Sequence, residues 1–193
     1  MNRLKLNQSK IPNLVVGLTQ LLANYQQYHQ RLNVYLKKGN YKNFRELHQH
    51  FKALYRKTSE DIKDIVSRLY ILNYSPKIEF QKCLKGVEDV LFSDAQNILL
   101  MVESIVNFHK ILVSNMQSVI RKAEMANDKN SISLISRLLQ YLEIQSWVLG
   151  LWIDMYIEIL SQRFSLSHDK REYKLYPNNL VFRRIDLLKY LGN

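Results

Sequence analysis

The fold turns on Asn73 to Ser93, NYSPKIEFQKCLKGVEDVLFS, a stretch of 21 residues between two long helical patterns. Ser75-Pro76 opens it, and the residue before a proline is pushed out of helical geometry, so the preceding helix must stop there. Upstream, Phe44, Leu47, Phe51, Leu54, Thr58, Ile62, Ile65, Leu69 and Leu72 recur at steps of three and four, which predicts a helix over Asn43 to Leu72. Leu14, Leu18, Leu21, Tyr25, Tyr28, Leu32 and Tyr35 form an earlier stripe that ends at Gly39-Asn40. Downstream, Ile98, Val102, Ile105, His109, Leu112, Met116, Val119 and Ala123 make a third stripe, with Ser93 as its expected N-cap. The fourth, expected to start after Ser131, carries Ile135, Leu138, Leu142, Leu149, Ile153, Tyr156 and Leu160.

Links one–two and three–four are a few residues long and make antiparallel hairpins, whereas the Asn73–Ser93 link lets helix three start at the far end of the bundle. The expected fold is therefore all-α: a ferritin-like four-helix bundle with a long crossover between helices two and three, leaving room for a short helix over Lys77 to Val87. The expected organisation is a basic N-terminal arm (1–13), the bundle (14–164) and a basic and apolar C-terminal tail (165–193).

Composition agrees. The chain has 193 residues, of which 47% are hydrophobic, but 5 Gly and 3 Pro, too few to punctuate a sandwich, a barrel or a Gly-rich nucleotide-binding fold. Cys83 is the single cysteine, so an internal disulfide framework and Cys-based metal sites are excluded, and a reducing cytoplasm is the expected setting. No secretory h-region opens the sequence. The segment Trp147 to Leu160 is shorter than the roughly 20 residues of a membrane span and carries Asp154 and Glu158, so no membrane is expected.

Two local patterns carry a family resemblance. Tyr41 to Tyr55, YKNFRELHQHFKALY, resembles the opening of the second helix of the Dps mini-ferritins, close to N-F-x-x-L-H-x-x-F-x-x-x-Y. Asp128-Lys-Asn-Ser131-Ile-Ser133-Leu134, then Glu143 and Trp147-Val-Leu149, is similar to the family's D-x-x-T-x-D-L-L and E-K-x-x-W-M-L. Ser131 stands for Thr, Ser133 for Asp and Ile144 for Lys, and the resemblance spans about Leu14 to Asp154. It implies a dodecameric shell that binds iron and often DNA, with a di-iron oxidation site between two-fold-related subunits.

At that site the sequence departs from the family. The resemblance places the ligand positions at Leu36, His48, Lys52, Lys63 and Ser67, and only His48 keeps a metal-binding side chain. Oxidation of Fe(II) needs oxygen and imidazole donors, whereas protonated Lys52 and Lys63 repel a cation. Moving Glu60 and Asp64 into register would rotate the helix by about 60° and take Phe51 and Leu54 off their seam. His48 is thus left as a remnant ligand or as a hydrogen-bonded interface residue, no catalytic residue or cofactor is expected, and iron stays open.

The remaining candidates have plain readings. His109 falls on an apolar stripe and is expected in the core or an interface, while His29 and His50 are expected on solvated faces. Asp154 and Glu158 read as a solvent- or cavity-facing strip, and Trp147 and Trp152 as packing anchors. No G-x-S-x-G, Walker A, H-E-x-x-H or G-x-G-x-x-G pattern occurs, which argues against an ordinary enzyme.

The formal charge of +11 is left over. Arg3, Lys5 and Lys10 face no acid within residues 1–13, and Lys170, Arg171, Lys174, Arg183, Arg184 and Lys189 outnumber Asp169, Glu172 and Asp186. Cationic arms bind phosphate backbones without reading sequence, and repetition around a shell multiplies weak contacts. The expected partners are copies of the chain itself and DNA, the latter placing the protein at the nucleoid. The apolar residues of the tail, Leu180, Val181, Phe182, Ile185, Leu187, Leu188, Tyr190 and Leu191, are expected to dock on a neighbouring subunit or another partner. The alternatives are an iron-oxidising or iron-storing mini-ferritin with non-standard ligands, and a non-catalytic structural subunit.

Overall fold

The computed structural model describes residues 6–39, 44–75 and 97–165, with side chains up to residue 159. After a 3-10 turn at Gln8–Lys10 come four helices: α1 (Ile11–Lys38), α2 (Arg45–Ile71), α3 (Ile98–Met125) and α4 (Lys129–Ser165). The proposed crossover helix and the C-terminal tail lie outside the described residues. Met1–Glu158 forms one compact unit, and Ile159–Asn193 a second of which only 159–165 are described.

Contacts between the helices fix the topology. Tyr35 stacks near Phe51 and His29 on Tyr55, so α1 and α2 run antiparallel. The backbone N–H of Asn7 reaches Ala126, and Tyr28 packs on Phe108, so α1 is antiparallel to α3 as well. Two helices each antiparallel to a third are parallel to one another, so the end of α2 and the start of α3 lie at opposite ends of the bundle. This is the ferritin-like crossover, and it explains why the connection in the sequence is long.

Helix ends refine the boundaries. Asn97, not Ser93, caps α3: its side-chain oxygen accepts from the N–H groups of Leu99 and Leu100, satisfying donors that the first turn leaves unpaired. α4 starts before Ser131, at Lys129, because Asp128 takes the capping role. α2 and α3 end alike, with Asn73 (φ 60) and Asn127 (φ 53) in left-handed geometry. The N–H groups of Tyr74 and Asp128 reach back to Leu69 and Ala123, the six-to-one closure that uses up orphan carbonyls.

The apolar stripes meet in one core that includes Leu18, Tyr25, Leu32, Phe51, Leu54, Ile65, Val102, Leu112, Met116, Ile135 and Leu142. α3 is long and apolar enough by composition to cross a membrane, but its apolar stripe is the one that fills this core. α1 and α3 approach closely at Gly17, where an added Cβ would come within 3.0 Å of the Lys122 side chain.

Candidate functional site

The five positions marked by the resemblance lie on the α1–α2 hairpin. Leu36 packs, half-buried, against the core. His48 is half-buried in the first turn of α2, while Lys52, Lys63 and Ser67 are exposed. One imidazole, two ammonium groups, a hydroxyl and an alkyl chain do not fit a pair of ferrous ions, which need anionic oxygen donors. Among the described residues no three His, Cys, Asp or Glu side chains gather as a metal group. The carboxylates set aside on register grounds point elsewhere: Glu60 is exposed and Asp64 accepts from Arg137 Nη2 at 2.7 Å. Phe51 and Leu54 are fully buried, as the retained register requires.

Two of the histidines depart from expectation. His29 and His50 are not on open faces; each has its Nε2 shielded from solvent without a hydrogen-bond partner. His29 stacks on Tyr55 with ring centroids 4.1 Å apart, because both occupy the side of the hairpin where α1 and α2 face one another. Burial lowers both imidazoles below their usual range.

His109 is fully buried, as its stripe implies, and centres a hydrogen-bond chain across three helices. Ser146 donates to the Leu142 carbonyl at 2.8 Å, so its Oγ accepts from His109 Nδ1 at 2.8 Å. The other ring nitrogen, Nε2, therefore accepts from the Tyr28 hydroxyl at 2.7 Å. Burial, reinforced by nearby His50, pushes His109 down to about 3, so the ring is neutral. Tyr28 and Tyr25 are raised by burial, with Asp61 adding to the effect.

Two ion pairs that the sequence did not reveal involve α2, one within the helix and one joining it to the start of α4. Asp61 is almost fully buried and bonded to Lys57, whose ammonium also sits 5.4 Å from the Tyr141 ring centroid. Burial raises the Asp61 carboxyl, Lys57 pulls it back, and the net direction is upward. Arg68 Nη2 contacts both Asp128 oxygens, at 2.5 and 2.6 Å, and Arg68 Nε donates to Ser131 Oγ at 2.8 Å. Arg68 gave one usable signal, a charged residue beside Leu69 on the buried face of its helix.

Trp152 stacks on Tyr156 and meets the edge of Phe44, an anchor at the start of α2, whereas Trp147 is 37% exposed. Asp154 is half-buried and raised by burial, and Glu158 is exposed. Lys10 is exposed at the end of the 3-10 turn. Arg3, Lys5, Lys170, Arg171, Lys174, Arg183 and Arg184 lie outside the described residues.

This architecture has relatives. The family model for the ferritin-like domain matches residues 14–155, and the chain belongs to the ferritin-like family. Its fold within that family is that of the Dps proteins. The Dps protein of Vibrio cholerae O1 superposes with a TM-score of 0.64 at 22% identity, covering 79% of this chain and 99% of that one. Dps from Listeria monocytogenes gives a TM-score of 0.67 at 17% identity, covering 73% and 93%. In sequence, General stress protein 20U of Bacillus subtilis is 21% identical over 140 residues, 72% of this chain and 97% of that protein. An uncharacterised Haemophilus influenzae protein is 25% identical over 146 residues, 74% and 89% of the two chains.

Proposed function

We propose that this chain is a shell-forming Dps-like protein that associates with DNA nonspecifically and has lost the standard ferroxidase site. The observation that carries the reading is the pair Lys52 and Lys63, two exposed ammonium groups where the family resemblance calls for iron-binding carboxylates. They leave His48 as a lone remnant, so ferrous iron as a substrate has no gathered donor set there. The similarity to a Bacillus protein named for general stress supports a protective role.

DNA association is assigned to the basic ends, Arg3, Lys5 and Lys10 and Lys170, Arg171, Lys174, Arg183 and Arg184. Contacts of this kind neutralise phosphates, release counterions and weaken steeply with salt. A twelve-subunit shell would present twenty-four such ends, which is where avidity arises.

Light scattering on the full chain tests the shell, and the same sample tests the chemistry. The expected result is a particle of about twelve subunits by family resemblance, ferrous oxidation no faster than the buffer control, and salt-sensitive duplex retention that falls when the eight terminal cations become Gln. Rapid oxidation with iron retained overturns the lost-site reading, and unchanged DNA retention in the Gln variant overturns the role of the ends.

A further inference from the structure

A hydrogen-bonded chain runs outward from the centre of the bundle. Tyr28 of α1 is 1% exposed, and its hydroxyl donates to His109 Nε2 at 2.7 Å. His109 Nδ1–H donates to Ser146 Oγ at 2.8 Å, and the Ser146 hydroxyl donates to the Leu142 carbonyl. Every donor therefore points the same way, from the phenol towards α4. Ser146 is half-buried and lines a groove between α3 and α4 with Lys110, Gln117 and Glu143, so the far end of the chain meets solvent. Phenylalanine would fill the Tyr28 site without needing a partner, whereas the phenol there carries a proton with a preset exit.

The surroundings favour loss of an electron from the same ring. Burial raises the phenols of Tyr25, Tyr28 and Tyr141, and the Asp61 carboxylate adds to the rise in each. A negative charge that holds a phenol's proton also makes its electron easier to remove. Tyr141 is half-buried and adds to the rise at Tyr28, so this phenol group has an edge at the surface. Phe108 stacks on Tyr28 with ring centroids 5.9 Å apart, and almost none of the Tyr28 ring faces water.

We propose that Tyr28 is a proton-coupled one-electron donor, a buried site at which the protein quenches small oxidising radicals. The electron passes from the Tyr28 ring by way of Tyr141 to the radical at the surface, which is reduced to its anion. The Tyr28 O–H bond breaks, and its proton forms an N–H bond at His109 Nε2. An oxidised phenol is a far stronger acid than an imidazolium, so this transfer runs downhill even though burial holds His109 down to about 3. The imidazolium, costly in the core, sheds its Nδ1 proton through Ser146 to the groove and leaves a neutral ring. The phenoxyl is then isolated from other rings with which it could couple. A small thiolate restores the phenol by returning the electron and becoming a thiyl radical, while Nε2 gives its proton back and Nδ1 recovers one from the groove. The site lies inside a single bundle, so it needs neither the shell nor the terminal arms.

The test exposes the full chain to azidyl radicals made by pulse radiolysis, and follows phenoxyl by absorbance and electron paramagnetic resonance. Exposed phenoxyls decay quickly by coupling, whereas Tyr28 is expected to give a slowly decaying one that forms more slowly in deuterium oxide. Tyr28→Phe keeps the ring and should lose the slow signal, while Tyr25→Phe should retain it. His109→Gln leaves Tyr28 a hydrogen-bond acceptor but no basic nitrogen, so the slow signal should be lost there too, in a protein that still melts cooperatively. A merely structural contact between Tyr28 and His109 would shift the melting temperature and leave the slow phenoxyl in place. Persistence of that signal in Tyr28→Phe overturns the proposal. So does an undiminished signal in His109→Gln, or an equal loss in Tyr25→Phe, which would put the radical on a different ring.

Discussion

The Arg68 guanidinium holds the Asp128 carboxylate at 2.5 and 2.6 Å, and so pins the last turn of α2 to the residue that caps α4. Asp128 also accepts from the Ser131 backbone N–H at 3.2 Å and from the Ser131 hydroxyl at 2.6 Å. The carboxylate of Asp128 therefore caps α4 and fixes the neighbouring helix, while its backbone N–H closes the turn after α3 on the Ala123 carbonyl. Both partners are nearly inaccessible, with side-chain exposures of 7% and 1%.

Breaking one half of this pair strands the other in the interior. Arg68→Met alone is expected to cost about 3–5 kcal/mol, because an uncompensated buried charge is far worse than none. Arg68→Met with Asp128→Asn keeps the cap acceptor and removes both charges, so most of the loss should return. Denaturant melts of the four proteins in the cycle measure it, and equal losses in the single and double variants would refute the coupling.

Asp61 makes the opposite prediction. Its carboxyl is raised above the usual range by burial, despite Lys57, so the folded state favours the protonated form more than the unfolded chain does. The charged form therefore costs stability above the folded pKa, and that cost disappears as pH falls through it. Asp61→Asn should raise the melting temperature at pH 7, and the gain should shrink in acid as the native carboxyl takes up its proton. A lower melting temperature at pH 7 would mean that the Lys57 contact outweighs burial.

The four stripes and the length of one connection were enough to read the bundle and its crossover, because helical periodicity and loop length are both local properties. The polar interior was less legible. His109 announced itself by falling on an apolar stripe, but His29 and His50 sit off the stripes of their helices, and only the packing of α1 against α2 shields them. Arg68 pairs with a residue 60 positions away, and Asp61 is buried with Lys57 from one turn earlier, neither of which apolar periodicity shows. Helix starts shifted for a related reason: Ser93, Asn97, Asp128 and Ser131 all have cap-forming side chains, and the hydrogen bonds choose Asn97 and Asp128.

The left-handed residue after α2 gives a backbone test. Asn73 has φ 60, a region where L side chains with a branched Cβ are strained by about 1–2 kcal/mol and glycine is not. Asn73→Gly should leave stability unchanged or raise it by a few tenths of a kcal/mol, whereas Asn73→Val should lower it by about 1–2 kcal/mol. Equal melting temperatures for the two variants would show that the turn is not held in this geometry in solution.

His109 sets how the bundle responds to acid. The ring is neutral in the fold, lowered to about 3, whereas an unfolded histidine titrates near 6.5. Below about pH 6.5 the unfolded chain takes up a proton that the folded chain refuses, so stability falls as pH falls, and the loss ends only near the folded value. Within that window one such group contributes a slope of about 1.4 kcal/mol per pH unit. His29 and His50, also lowered by burial, add slopes of the same sign over narrower ranges. His109→Gln keeps an amide that can accept from Tyr28 and donate to Ser146, but it does not titrate. Its stability at pH 7 should fall by about 1–3 kcal/mol through imperfect hydrogen bonding. Between pH 6 and pH 4 its stability should decline less steeply than the parent's, so the two curves converge. Tyr28→Phe separates the hydrogen bond from the titration: it removes the donor to Nε2, costs about 1–3 kcal/mol at pH 7, and leaves most of the acid slope in place. Parallel curves for the parent and His109→Gln would mean that His109 is protonated in the fold, and the directed chain from Tyr28 to Leu142 would then have to be redrawn.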